Sequence, residues 1–236
     1  SLGLVGSEMC IRDSSMTALN YYTNEEIAIP LDPTLTPGEN AKKYFDKYNK
    51  LKRTYEALSQ LTLETKAEIE HLESISNSLD IALKEEDLVQ IKEELIEYGY
   101  IRRKRTDKKA KSKSKPFHYR SSDGYDIYVG KNNYQNEELT FKLASGNDWW
   151  FHAKNTPGSH VVVRTNGDEL PDRTFEEAGR LAAYYSKARG GEKVEIDYIE
   201  KKHVKKPKGA KPGFVVYYTN YSMMIDSDIT ALEQIE

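Results

Sequence analysis

The sequence has 236 residues, enough for one or two domains, and 31% of them are charged against 38% that are hydrophobic. Its mean hydropathy of −0.75 is low for one compact globule and favours an elongated or highly solvated shape. The net charge of −3 conceals a net −9 in residues 1–100, +10 in residues 101–220 and −4 in the last sixteen residues. The chain therefore joins an acidic arm to a basic domain, which the overall pI of 6.0 hides.

No apolar run approaches the roughly 18 to 20 residues that a membrane-spanning helix needs, so no membrane partner is expected. The single cysteine, Cys10, excludes an internal disulfide framework and fits a reducing, cytoplasmic location. Residues 1–15 lack the basic start and the long apolar segment of a signal peptide, and they are interpreted as a non-native leader. The native protein is expected to continue upstream.

A short β-hairpin is predicted in residues 16–35, around a turn at Thr23 and Asn24. A helix is predicted to start next, with Thr36 as the N-cap and Pro37 at the first helical position. Glu39 completes a capping box, in which its side chain accepts from the backbone amide of the N-cap residue. Seam residues then recur at alternating spacings of three and four, the pattern of a coiled coil. They are Ala41, Tyr44, Tyr48, Leu51, Tyr55, Leu58, Thr62, Thr65, Ile69, Leu72, Ser76 and Leu79.

The coiled-coil helical arm is predicted to span residues 36–99. Its tyrosine-rich seam is bulky for a tight dimer, so the expected partner is the upstream coiled-coil arm of the parent protein; self-dimerisation is the alternative. A second helix from about Glu85 to Tyr98 stops at Gly99. Its apolar stripe is predicted to consist of Leu88, Ile91, Leu95 and Tyr98.

A basic linker is predicted at residues 100–116, where Lys, Arg and Ser cannot build a core. It marks the expected domain boundary, and it serves either as a solvated hinge or as a phosphate-binding arm. Residues 117–228 are predicted to form a small basic α+β domain, and residues 229–236 an acidic tail. The strands expected in the α+β domain are 117–120, 125–129, 148–154, 161–164, 194–199 and 214–219. Its expected helices are 136–144 and a second one from Thr174 to Gly190. The second helix is predicted to start with a capping box of Thr174 and Glu177.

The strand at 148–154 has two contrasting faces. Trp149, Phe151 and Ala153 form the apolar one, whereas Trp150, His152 and Lys154 share the other with Asp148. An exposed indole beside imidazole and ammonium groups suits stacking on nucleobases. The alternative is that both tryptophans are core residues. Alternation prevents both from entering the same core, so the second face is a candidate binding surface.

Residues 201–213 form a loop with six lysines, one histidine and no acidic residue. Lysines this dense repel one another unless a polyanion neutralises them, so phosphate contact is favoured over a merely solvated loop. The six are Lys201, Lys202, Lys205, Lys206, Lys208 and Lys211. Two interpretations of the turn Gly130, Lys131, Asn132 and Asn133 are equally favoured. Its side chains could bind a phosphate, a sugar or a base edge, or it could be a hairpin turn without a binding role.

No catalytic site is predicted. His152, His160 and His203 with Asp148 match no metal-ligand spacing, and no cysteine supports them. No acid–base carboxylate pair or nucleophile motif stands out. The sequence therefore predicts no enzyme, no metal and no cofactor.

Several long motifs resemble one known family. G-Y-x-I-Y-V-G-K-N-N-x-x-N, D-W-W-F-H-A-K and P-G-S-H-V-V-V occur in that order, followed by YYSKAR and VEIDYIEKKHVKKPKGAKPGFVVY. Together they resemble the RNA-binding domain of the NFACT proteins, and the likeness runs from about Ala18 to Asp228. The resemblance implies RNA contacts at the residues that match the family's motifs. They are Lys131, Asn132, Asn133, Trp150, His152, Lys154, His160, Lys205, Lys206 and Lys208.

The resemblance implies a cytosolic factor of ribosome-associated quality control. Its expected partners are rRNA of an obstructed large ribosomal subunit and tRNA, in support of alanine tailing without catalysis of peptide transfer. The family's N-terminal tRNA-engaging domain is not in this chain, which puts autonomous tRNA selection in doubt. The competing hypotheses are a fibronectin-binding surface adhesin and a protein-docking coiled-coil module.

Overall fold

A computed structural model describes residues 14–104 and 114–235. The predicted leader lies almost wholly outside this range, and so does the middle of the predicted linker. The chain divides into two compact units, Ser1–Lys66 and Ala67–Glu236. The combination of a long helix and antiparallel sheets confirms the α+β class.

The first unit begins with the predicted β-hairpin. Strands β1 (Ser15–Asn20) and β2 (Glu25–Pro30) pair antiparallel, and Asn24 closes the turn between them with a φ of 56°. Asn tolerates this left-handed conformation better than most residues. The predicted turn is thereby confirmed.

Helix α1 (Pro37–Ile81) starts at the predicted capping box. The Thr36 amide donates to the Glu39 carboxylate at 2.7 Å, and the Glu39 amide donates back to the Thr36 hydroxyl at 3.4 Å. Both bonds satisfy amides that a helix start leaves unpaired. In the first unit the seam residues Tyr48, Leu51 and Tyr55 are exposed, as expected of a coiled-coil seam.

The second unit holds the end of α1, helix α2 (Glu85–Glu97) and a sheet domain. The unit boundary lies inside α1, whereas the sequence predicted the domain boundary at residues 100–116. Helix α2 ends as predicted before Gly99, whose φ is 77°. Leu88 of its predicted stripe is exposed, while Ile91 and Glu94 are buried.

One seven-stranded antiparallel sheet organises this unit, in the order β8-β7-β5-β6-β4-β3-β9. The strands are β3 (Phe117–Arg120), β4 (Asp126–Val129), β5 (Trp149–Ala153), β6 (Val161–Val163), β7 (Val194–Glu200), β8 (Tyr221–Ile225) and β9 (Glu233–Gln234). Strand β9 lies within the segment interpreted as an acidic tail and pairs with β3. The strand predicted at 214–219 is wrong: residues there form a loop, and β8 begins at Tyr221.

The helices of the sheet domain also differ from their predicted bounds. Helix α3 (Asn133–Glu138) starts earlier than expected and continues into a π-helical turn, Leu139–Leu143. Helix α4 (Asp172–Tyr184) starts before Thr174, so the predicted Thr174–Glu177 capping box is wrong. The Glu177 carboxylate instead accepts from the Ser122 amide at 2.9 Å, because the turn after β3 lies against α4.

Two hydrophobic clusters cover opposite faces of the sheet. The α4 side buries Phe151 and Ala153 with Trp149 packed against them, which confirms the predicted apolar face of β5. The other side buries Trp150, Val162 and Ile199 beneath residues of the π turn and of the loop after β7. Both faces of the central strands are therefore withdrawn from water, and each fully buried large side chain adds ~1.5–3 kcal/mol to stability.

Candidate nucleic-acid interface

The Lys131–Asn132–Asn133 turn is buried. Its start allows no side chain, since a Cβ on Gly130 would lie 2.2 Å from the Asn136 amide oxygen. The Asn132 side chain caps α3 by accepting from the Gln135 amide at 3.0 Å. The turn therefore serves as the N-terminal cap of a helix.

The same turn holds the two arm helices of the second unit. The Lys131 ammonium lies 3.3 Å from the Asp87 carboxylate of α2 and 4.5 Å from the centre of the Phe117 ring. The Asn133 amide donates to Ser74 of α1 and to Glu94 of α2, both at 2.8 Å. Of the two interpretations of this turn, the structure favours the structural one, because these polar groups already have partners inside the unit; RNA contact at Lys131, Asn132 and Asn133 stays a prediction.

Asp87 receives several stabilising contacts at this junction. Burial disfavours its charge, but the Ser114 hydroxyl, the amides of Leu83 and Lys84 and the Lys131 ammonium together lower its pKa. The junction therefore keeps a charged carboxylate opposite a charged lysine.

Trp150 is fully buried, which contradicts the expected exposed stacking ring. Its ring centre lies 5.0 Å from the rings of both His160 and Tyr217. The alternation argument correctly separated the two tryptophans into different environments. It missed the second hydrophobic cluster, which is completed by residues far away in the sequence.

His160 is also buried, so an RNA contact through its ring is not available in this structure. Its Nδ1 lies 2.7 Å from the Thr140 hydroxyl and 3.2 Å from the Asn136 carbonyl oxygen. Burial lowers the pKa of His160 well below its usual value, and the neighbouring His152 lowers it further. The imidazole is accordingly neutral near pH 7.

His152 and Lys154 lie farther along the same face of β5. His152 is half-buried, and burial lowers its pKa in spite of a backbone hydrogen bond with Gly158. The Lys154 ammonium donates to Glu195 at 2.6 Å, and this bond raises the lysine pKa. The two predicted residues thus lie near one another, but the Lys154 ammonium is already paired with a carboxylate of β7.

The lysine loop divides into paired and open positions. Lys202 pairs with Glu200 at 2.7 Å and Lys206 with Glu137 at 2.6 Å. Lys201 lies 5.8 Å from the Phe141 ring centre. Lys205 and Lys208 are exposed, and within residues 14–104 and 114–235 neither side chain has an ion-pair partner.

Lys211 points back into the unit. Its ammonium lies 3.0 Å from His71 Nδ1 and 3.1 Å from the Tyr100 hydroxyl oxygen. The other imidazole nitrogen lies 2.9 Å from the buried Glu94 carboxylate. Sequence reasoning missed His71 and Glu94; the one available signal was the acidic Glu94 inside the apolar stripe of α2, between Ile91 and Leu95.

A groove of about 680 Å³ opens beside this loop. Its walls come from the second-unit part of α1, the turn at Pro157 and Gly158, and the loop from Gly209 to Tyr217. The half-buried His152 lies in it, and His160 contributes to its lining. The groove brings apolar, aromatic and neutral hydrogen-bonding groups next to the exposed lysines.

Two kinds of feature are missing from the described residues. Across these ranges, no helix combines the length and apolar character needed to span a bilayer. In the same part of the chain, no group of three or more His, Cys, Asp or Glu side chains is placed to hold a metal ion.

Family comparisons divide the chain in two. Residues 9–114 match the family described as NFACT N-terminal and middle domains, and residues 115–218 match the NFACT protein RNA binding domain. The lysine loop with its open lysines, and the groove residues His152 and His160, fall in the second match.

Curated relatives are similar over most of this chain. The Rqc2 homolog RqcH of Streptococcus pneumoniae is 49% identical over 210 residues, which are 89% of this chain and 38% of that protein. The protein of the same name from Bacillus subtilis is 41% identical over 223 residues, 92% of this chain and 38% of the relative. The chain thus spans about 38% of the length of these relatives.

A solved structure has the same fold. It is the C-terminal part of the fibronectin/fibrinogen-binding protein from Streptococcus suis, with a TM-score of 0.75 and 46% sequence identity. The similarity covers 82% of this chain and 77% of that one.

Proposed function

Because the chain belongs to the NFACT family and carries its RNA-binding domain, we propose that it is the RNA-binding portion of a ribosome-associated quality control factor. The observation that best supports RNA binding is the pair of exposed lysines, Lys205 and Lys208, on a loop of the matched RNA-binding domain. Unpaired ammonium groups gain the most from a phosphate, because no internal ion pair must first be broken.

The proposed partners are rRNA of an obstructed large ribosomal subunit and tRNA, in the cytosol. In this role the chain supports C-terminal alanine tailing of a stalled nascent chain by positioning RNA. It acts as a binding module and not as an enzyme, and the upstream coiled-coil arm of the parent protein covers the exposed seam of α1.

Fibronectin binding is the competing function, and it is suggested by the name of the similar Streptococcus suis protein. We favour RNA because the open cations lie in a domain whose relatives include the Rqc2 homolog RqcH. A direct comparison of fibronectin and RNA as ligands of the full chain separates the two functions.

The test is binding of the full chain to tRNA and to large-subunit rRNA fragments across a salt series. We expect log K to fall with log salt by ~0.7 to 0.9 for each phosphate contact. Lys205→Glu and Lys208→Glu should each weaken binding to all RNAs and reduce the salt slope by about 1.

Lys193→Glu is the matched control, because it makes the same charge change just before β7, whereas the lysine loop follows β7. The seven residues of this strand separate the two positions by roughly 20 Å. Binding that ignores salt, or an equal loss in all three variants, contradicts the proposal. Fibronectin binding in the absence of RNA binding would favour the competing function.

A further inference from the structure

The groove beside the lysine loop has the make-up of a nucleobase pocket. Its volume of about 680 Å³ is within the range of small-molecule sites, ~300–1,000 Å³. Pro157, Phe214 and Val215 give it apolar walls, and His152 with Tyr217 add aromatic rings that carry polar atoms. This mixture provides stacking area and hydrogen bonds to the edge of a base.

Two of the three histidines that line the groove, His152 and His160, are neutral hydrogen-bonding groups. Burial lowers the pKa of both His152 and His160, so they do not act as cations near neutral pH. A neutral imidazole suits an uncharged base better than a phosphate, and the half-buried His152 is the one of the two whose ring is accessible to a base. The groove therefore differs in character from the lysines at its rim.

Backbone pairing fixes the lysine loop next to the groove. Lys205 and Val216 exchange hydrogen bonds of 2.9 and 2.8 Å, which hold the Lys205 backbone beside the groove residues Val215 and Tyr217. Because side chains alternate along an extended segment, Lys205 and Val216 face the side opposite the groove. Lys208 directly precedes Gly209, which also lines the groove. A nucleotide whose base enters the groove would thus place a phosphate near Lys208.

The wall formed by α1 carries both acidic and basic groups. Glu70 and Glu73 of α1 line the groove, and Glu73 pairs with Lys187 at 3.6 Å. Lys211 of the loop reaches across to the same wall, where its ammonium lies 3.0 Å from His71 Nδ1 of α1. Lys211 and Glu73 thus already have polar partners within the unit, whereas Lys208, just before the groove residue Gly209, is exposed and open to a phosphate.

We propose that this groove holds one unpaired nucleobase of the bound RNA, stacked against Phe214, while Lys208 contacts an adjoining phosphate. The inference rests on the proposed function and deepens it from general phosphate contact to recognition of an extruded base. Phe214 is 49% exposed, so its ring is available for stacking in the free protein.

The experiment compares two RNA hairpins with the full chain. One has a single bulged adenosine, and the other has an abasic nucleotide at the same place, so that phosphate number and chain length are equal. We expect the adenosine hairpin to bind about 5- to 150-fold more tightly, the fold-change of stacking one base on an aromatic ring. Phe214→Ala should remove this difference, and Phe214→Trp should retain it.

Tyr218→Ala is the matched control: this aromatic ring is 74% exposed, lies four residues away and does not line the groove. It should leave the preference for adenosine unchanged. Equal binding of both hairpins, or loss of the preference in both alanine variants, overturns the base site. If salt-dependent binding persists, the proposed RNA function survives that result; if neither hairpin binds, both proposals fail.

Discussion

Two lysine-bearing segments of the same domain have opposite surroundings. The Lys131–Asn133 turn is buried between α3 and the arm helices, where Asp87, Ser74 and Glu94 satisfy its polar groups. The loop at residues 201–213 instead exposes Lys205 and Lys208. A polar motif thus serves stability where neighbouring carboxylates and hydroxyls reach it, and remains open to ligands where they do not. Substitutions in the 131–133 turn should therefore lower stability, whereas substitutions at Lys205 and Lys208 should weaken RNA binding.

Lys131→Ala should have the largest effect on stability. It leaves Asp87 as a buried, unpaired charge, which costs ~3–5 kcal/mol in comparable ion pairs. Urea denaturation followed by tryptophan fluorescence measures the change. The double variant Lys131→Met with Asp87→Asn should recover much of the loss, because no unpaired charge then remains and the amide oxygen can still accept from the Leu83 and Lys84 amides. If Lys131→Ala kept its stability but lost RNA binding, Lys131 would be an RNA contact and not a structural residue.

Asn133→Ala should destabilise the protein by a smaller amount. The change removes the donor to Ser74 and to the buried Glu94, and an unsatisfied buried polar group costs ~1–3 kcal/mol. The same urea experiment applies. A midpoint equal to that of the unaltered chain would show that these two hydrogen bonds do not hold the turn to the helices.

Acidification should weaken the domain gradually. The folded pKa values of His152 and His160 are lowered from 6.5, so the unfolded chain binds more protons at mildly acidic pH. Their stabilising contribution is complete above about pH 6.5 and is lost as pH falls towards the folded values. Urea midpoints at pH 7.5 and 5.5 measure this loss, and His152→Gln should reduce it. Equal midpoints at both pH values would be inconsistent with neutral, buried imidazoles.

Lys205→Glu and Lys208→Glu should have the smallest effect on stability, within about ±0.5 kcal/mol, as is usual for exposed positions. Their free energies of unfolding are compared with that of Lys193→Glu. A large destabilisation would mean that the lysine loop, like the 131–133 turn, has a structural role. The contrast between the two segments would then disappear.

Local patterns predicted the parts of the fold that depend on near neighbours. The hairpin at residues 16–35, the Thr36–Glu39 capping box and the apolar face of β5 each rest on residues within a few positions of one another. The strand prediction at 214–219 was wrong because, among the residues that the structure describes, this segment forms β-pairing at a single bridge, Lys205–Val216. A segment with strand propensity becomes a strand only when a neighbouring strand offers its hydrogen bonds.

By itself, the sequence determined the α+β class, the charge asymmetry, the family and the basic loop. The tertiary structure decided which polar residues are open. Trp150 became core because the π turn and the loop after β7 cover its face, and Lys131 became structural because Asp87, which lies 44 positions earlier in the chain, pairs with it. Exposure depends on contacts between distant segments, and local periodicity carries no information about which segments meet.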